Sequence, residues 1–198
     1  VAHGWEKVAW AMEQTTMDWA VVDRLPAFQR TEIEDLLKSI SSTLASLSTP
    51  DDGMLKRARE SLAGATMNIV RSGPEVAARF ADEVRAFADD ESSEVRDKIV
   101  RRIGYLWNAD KALLWDLAEG FVERETNANI LAQFVSFLIR ASNDEPERIG
   151  VLTKKIIQRN NIEKSEGRDL LYEGIGTLTF HLWTRHGQPL ARDTIDLW

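Results

Sequence analysis

Three observations predict an all-α fold. Apolar residues recur at three- and four-residue spacing along most of the chain, no stretch sustains period-two alternation between turn signals, and the breaks are only a few residues long. About ten helices are expected, with consecutive ones antiparallel neighbours because such short connections permit little else.

Taken in order, Trp5, Val8, Met12, Trp19 and Val22 fall on one face of a first helix that ends before Leu25-Pro26. Thr31 and Glu34 have capping-box spacing ahead of Ile33, Leu36, Leu37 and Ile40, which predicts a helix start there. STPDDG at 48–53 is a turn of helix-breaking residues, and a third helix follows from Met54 to Arg71. Ser72-Gly73-Pro74 stops it and opens the next, with proline at the first helical position, where its missing N–H costs nothing. Further helices are expected over 75–88, 93–107, 110–124, 127–141, 146–160, 163–185 and from 189 onward. No long linker or low-complexity stretch intervenes, so 1–198 reads as a single domain, less regular over 1–72.

Composition narrows the function classes. A chain of 198 residues buries about 70% of the surface its unfolded form exposes, enough to fold without metals or disulfides. The absence of cysteine excludes a disulfide framework, a thiolate zinc site and a cysteine nucleophile, and it fits a cytoplasmic setting. A net charge of −7 repels phosphate backbones and anionic lipid on average. The strongest apolar run, ILAQFVSFLI from Ile130, is too short to span a bilayer and is interrupted by Gln133 and Ser136, and no signal peptide pattern is present. No membrane partner is expected. The chain opens on Val1 and closes on Ile195, Leu197 and Trp198, so it is expected to be part of a longer protein, with self-association possible through ends that lack polar caps.

The stretch DESSEVRDKIVRRIGYL, Asp90 to Leu106, holds the key to the architecture. Shifted by 35 residues, its apolar positions land on apolar positions: Val95 on Ile130, Ile99 on Phe134, Val100 on Val135, Ile103 on Leu138 and Leu106 on Ala141. The same shift carries Leu114, Leu117, Phe121 and Val122 onto Ile149, Leu152, Ile156 and Ile157, so a two-helix unit repeats. A further shift of 37 aligns GRDLLYEGIGTL with VRDKIVRRIGYL, placing Gly104 on Gly176. Glycine inside a helix costs about 1 kcal/mol relative to alanine, so its recurrence predicts close helix crossings at both positions.

Asp90, Val95, Arg96, Ile99, Ile103, Gly104 and Leu106 resemble the second helix of a HEAT repeat, whose opening is Asp, then Val-Arg, then a small-residue-rich helix. The match is strongest at 90–106, partial at 167–178, and weak at 127–141, where Leu131 replaces the arginine. The resemblance implies a right-handed α-solenoid, in which 75–88 pairs with 93–107, 110–124 with 127–141 and 146–160 with 163–185. It also implies a scaffold or protein-interaction module without chemistry of its own. Two alternatives stay open: a HEAT-like DNA-binding or base-excision domain, and a helical sensor or oligomerisation arm of a larger ATPase.

Lys98, Arg101 and Arg102 raise the question of a nucleic-acid strip. Carried through the repeat register, their rows continue with Gln133 and Leu170, Ser136 and Glu173, and Phe137 and Gly174, so the positive charge does not propagate as a phosphate-tracking groove requires. Nucleic acid is therefore disfavoured, and Arg96 is expected to pair near its helix start with Asp90, Glu91 or Asp97. Lys98, Arg101, Arg102, Tyr105, Phe137, Arg140 and Tyr172 form the candidate surface for a protein partner, since aromatics and arginine are enriched at interface hot spots.

No cofactor, metal or catalytic site is expected. His181 and His186 lie five apart, about 140° around a helix, and His3 is remote in sequence. GIGT at 174–177 lacks the strand and third glycine of a dinucleotide fingerprint, and Asp51-Asp52-Gly53 lacks the ligands of a calcium loop. Asp116, Glu119 and Glu123 have the spacing of a solvated helix face. Trp107, Trp115 and Asp116 would be the first residues to examine in a base-excision enzyme, although packing explains both tryptophans.

Overall fold

The computed structural model describes residues 2–18, 24–47, 53–159, 162 and 167–190, and all regular structure among them is helical. Two compact units divide the chain, Val1–Leu114 and Trp115–Trp198.

The first unit holds α1 (Ala2–Met17), α2 (Ala27–Ser46), α3 (Gly53–Val70), α4 (Pro74–Arg79), α5 (Ala81–Ala88), α6 (Ser93–Arg102), a 3₁₀ turn (Ile103–Tyr105) and α7 (Leu106–Ala109). Helix α3 is its hub: it packs against α1, α2, α4, α5, α6 and the 3₁₀ turn, and every residue from Leu62 to Val70 is buried. Its composition explains this. Ala58, Ala63, Gly64 and Ala65 present almost no side chain, so neighbours approach on several sides, while Leu62, Met67, Ile69 and Val70 fill the gaps between them. Each fully buried side chain of this size contributes about 1.5–3 kcal/mol relative to leaving it in water.

Helix α8 (Lys111–Arg124) begins at the end of the first unit and runs into the second, which continues with α9 (Ala128–Ala141), α10 (Pro146–Ile157) and α11 (Gly167–His186). Helix α9 packs against α10 and α11, and α10 against α11. The Phe121 ring of α8 lies 6.0 Å from Phe134 of α9, and Phe134 lies 6.1 Å from Phe137. Helix α9 starts on two polar caps: Glu125 Oε1 accepts from the N–H groups of Thr126 (3.0 Å) and Asn127 (2.8 Å), and Asn127 Oδ1 accepts from Asn129 N–H at 2.9 Å. The guanidinium of Arg159 donates to the Val122 carbonyl at 2.7 Å, near the carboxyl end of α8.

The repeat register locates the core. Val95, Ile99, Val100, Ile103 and Leu106 are buried, and so are their counterparts Ile130, Phe134, Val135, Leu138 and Ala141. Several local expectations need correction. Thr31 is not a cap: α2 begins at Ala27 after Pro26, and Thr31 Oγ1 donates back to the Ala27 carbonyl at 3.1 Å from inside the helix. The segment 75–88 is two helices that break at Phe80 (φ −105°, ψ 8°), whose ring is buried. The segment 93–107 is also interrupted, because Gly104 sits in the 3₁₀ turn and is exposed rather than packed at a crossing. On α1, Val8 is exposed, and the buried face runs through Ala9, Met12, Glu13 and Thr16. Trp19, Val22, most of the 48–53 turn and the segment 191–198 lie outside the described residues.

Candidate functional site

The basic cluster on α6 faces a buried polar network. Glu13 of α1 is 4% exposed, and its Oε1 accepts from Lys98 Nζ at 2.9 Å and Arg102 Nη2 at 3.1 Å. Arg102 Nε donates to Asn68 Oδ1 of α3 at 3.2 Å, and Asn68 Nδ2 donates to Thr16 Oγ1 at 3.3 Å. Lys98 also reaches Glu60 at 3.5 Å, so two cations and two carboxylates balance across α1, α3 and α6. Gly64 makes the room: a Cβ there would collide with Glu13 Oε1.

The other two basic residues are engaged as well. Arg101 Nε pairs with Asp97 one turn earlier, at 2.5 Å, and Arg96 donates to the carbonyls of Asp90 (2.7 Å) and Glu91 (3.0 Å), closing the turn before α6. Asp90 in turn accepts from Ser92 N–H at 2.8 Å and pairs with Arg59 at 3.2 Å. Glu94 collects Lys56 at 2.9 Å and the hydroxyls of Ser92 and Ser93, and these bonds, the Lys56 one foremost, together with the bond from its own N–H, hold its carboxyl at a pKa of about 2. Arg96 thus closes the start of α6, Arg101 pairs within the helix, and Lys98 and Arg102 converge on one buried carboxylate.

The remaining candidate-surface residues fall in different environments. Tyr105 is exposed beneath the Arg71 guanidinium, 5.3 Å from its ring centroid. Phe137 is buried at 4% exposure and belongs to the aromatic core of the second unit, so it offers no surface to a partner. Arg140 is exposed, and Tyr172 is half-buried with its hydroxyl accepting from Arg168 Nη2 at 3.0 Å. Trp115 is buried under the guanidinium of Arg148 (4.7 Å), Trp107 is half-buried under the Lys111 ammonium (4.6 Å), and Asp116 is exposed. Near the end of α11 the ring centroids of His181 and His186 lie 6.0 Å apart, and the chain then turns at Gly187 with φ +66°. Among the described residues no group of three or more metal-ligating side chains forms.

A groove of about 560 Å³ beside α2 and α4 is lined by Arg30, Thr31, Glu34, Gly73, Glu75 and Arg79. Burial pushes the Glu34 carboxyl above its ordinary pKa against the opposing pull of Arg79, with which it forms an ion pair. That pair occupies the one buried acid of the groove.

The feature that the sequence reading missed is on α11. Its core face carries Leu171, Ile175, Leu178 and Leu182, yet Leu170 (60% exposed), Phe180 (62%) and Trp183 (52%) point the other way. Phe180 and Trp183 meet edge to face with centroids 6.1 Å apart. The signal was present in the sequence, because apolar residues on every side of a helix leave some without an internal partner once one face is buried. No protein family, curated protein or solved structure matches the chain. No helix among the described residues is long and apolar enough to cross a membrane.

Proposed function

We propose that the chain is a protein-interaction module of HEAT-like, α-solenoid type, without chemistry of its own. The observation that carries the reading is the outward Leu170, Phe180 and Trp183 on a helix whose opposite face is already packed. Exposed aromatic clusters of this kind mark protein contacts, where tryptophan is enriched at hot spots. The solenoid element is supported by helix order: alternate helices α1, α3 and α6 pack in sequence in the first unit, and α9 packs on α11 in the second, as stacked second helices would. Lys98 and Arg102 pair with Glu13, which supports a structural role for them over a phosphate-binding one.

Two experiments test the proposal. Proteins captured by the wild-type chain are compared with those captured by a Phe180→Glu/Trp183→Glu chain of unchanged circular dichroism. Loss of specific partners in the variant is expected, and an identical set would contradict the reading. In a mobility-shift titration with duplex DNA at two salt concentrations, no salt-sensitive binding near physiological ionic strength is expected.

A further inference from the structure

Two imidazoles and an amide of the second unit meet beside the end of α11. The His181 and His186 ring centroids are 6.0 Å apart, tilted by 54°. His186 Nε2 is buried and has no hydrogen-bond partner among the described residues, which costs free energy unless another group meets that nitrogen. His181 Nε2 stands 3.3 Å from Asn143 Oδ1, longer than the usual N–H···O range of about 2.7–3.2 Å. Asn143 comes from a different place in the chain, the turn between α9 and α10. No third histidine, cysteine, aspartate or glutamate completes a set with the two rings among the described residues, so the third donor is an amide oxygen.

The backbone beneath these groups is already fixed. Ser142 Oγ donates to the Ile139 carbonyl at 2.7 Å, and Asp144 N–H to the Ala141 carbonyl at 3.1 Å, which holds the turn that carries Asn143. Helix α11 closes at Gly187: the Gly187 N–H donates to the Trp183 carbonyl at 3.0 Å and the Gln188 N–H to the Leu182 carbonyl at 3.2 Å. The Gln188 side chain then lies over Gly150, and Leu190 is buried. A site built on such a frame loses little conformational freedom when it is filled.

We propose that His181, His186 and Asn143 hold one divalent transition-metal ion of the zinc class, with water in the remaining position. Zinc bonds imidazole nitrogen at about 2.0–2.1 Å, so two rings on one ion keep their centroids roughly 5–6 Å apart, and neighbouring ligand atoms of a tetrahedron lie about 3.3 Å from each other. Both separations are those found here. Imidazole selects zinc, nickel or copper, whereas magnesium and calcium prefer all-oxygen shells. The ion gives His186 Nε2 the partner it lacks, replaces the long His181–Asn143 contact by two metal bonds, and ties the end of α11 to the α9–α10 turn. The inference does not depend on the interaction face proposed above.

Calorimetric titration of the full chain with zinc chloride tests it. One ion per chain with a Kd below about 100 µM is expected, and magnesium and calcium should show no saturable binding in the same range. His181→Ala and His186→Ala should each weaken zinc binding at least about tenfold, while His3→Ala, at the remaining histidine, should leave it unchanged. Asn143 is exposed, so its variants keep the fold and give a second line of test. Asn143→Leu should weaken binding, and Asn143→Asp, which puts a charged oxygen in the same place, should tighten it about tenfold. No saturation below about 100 µM would overturn the proposal. So would zinc binding that survives both histidine substitutions, or that is indifferent to both changes at Asn143.

Discussion

At the residue scale, the most consequential side chain is Glu13. Its carboxylate is buried between Lys98 and Arg102, which are themselves mostly shielded, so Glu13→Gln leaves two cations facing a neutral amide. A loss of about 2–3 kcal/mol is expected in urea denaturation, because breaking one side of a buried pair costs more than the pair contributes. Two other carboxylates should respond to pH in opposite directions. Glu94 has a folded pKa of about 2 against an ordinary value of 4.5, so its contribution is complete above pH 4.5 and is lost as pH falls toward 2. The side chain is half exposed, so Glu94→Gln should cost less than about 1 kcal/mol at neutral pH, with the difference vanishing in strong acid. Glu34 has a raised pKa, so its contribution is greatest while it is protonated and declines as pH rises through that value. Glu34→Gln should therefore be at least as stable as wild type at pH 7, with the gap closing in acid. The partners of Lys98 and Arg102 could not be read from sequence, since Glu13 is 85 and 89 residues away and only the fold brings it to them. The neighbourhood of Arg96 was legible, since Asp90 and Glu91 lie within two turns of it, although the guanidinium takes their backbone carbonyls.

At the element scale, glycines separate three kinds of helix contact. Gly64→Ala forces the buried Glu13 carboxylate to move and should destabilise despite the gain in helix propensity. Gly174→Ala meets Val135 Cγ1 at 3.1 Å and should also cost stability, because α11 packs there on α9. Gly176→Ala meets nothing and should stabilise the isolated chain by about 1 kcal/mol. Thermal unfolding of the three variants distinguishes them. The repeat alignment selected Gly176 as the packing glycine when the contact belongs to Gly174, because self-similarity aligns identities without fixing which side of a helix faces its neighbour. Helix existence was legible almost throughout from apolar spacing. The breaks at Phe80 and Gly104 were not, since in each case apolar periodicity continues across a local change of backbone geometry.

At the scale of the whole molecule, an acidic chain carries a basic cluster that is neutralised from within and an aromatic face that is not. The all-α class follows from periodicity, and the core positions follow from the 35-residue register. The outward face of α11 escaped the reading because the repeat rows were searched for charge and arginine–aromatic mixtures, and that search led to Phe137, which lies in the core. The most direct test places a photo-crosslinking phenylalanine analogue at Thr177, in the middle of that face, and in parallel at Ser136, an exposed polar position on α9. Polypeptide adducts concentrated at Thr177 are the expected result. Equal yields at the two positions, or adducts with nucleic acid instead of protein, would contradict the assignment of α11 as the face that meets a protein.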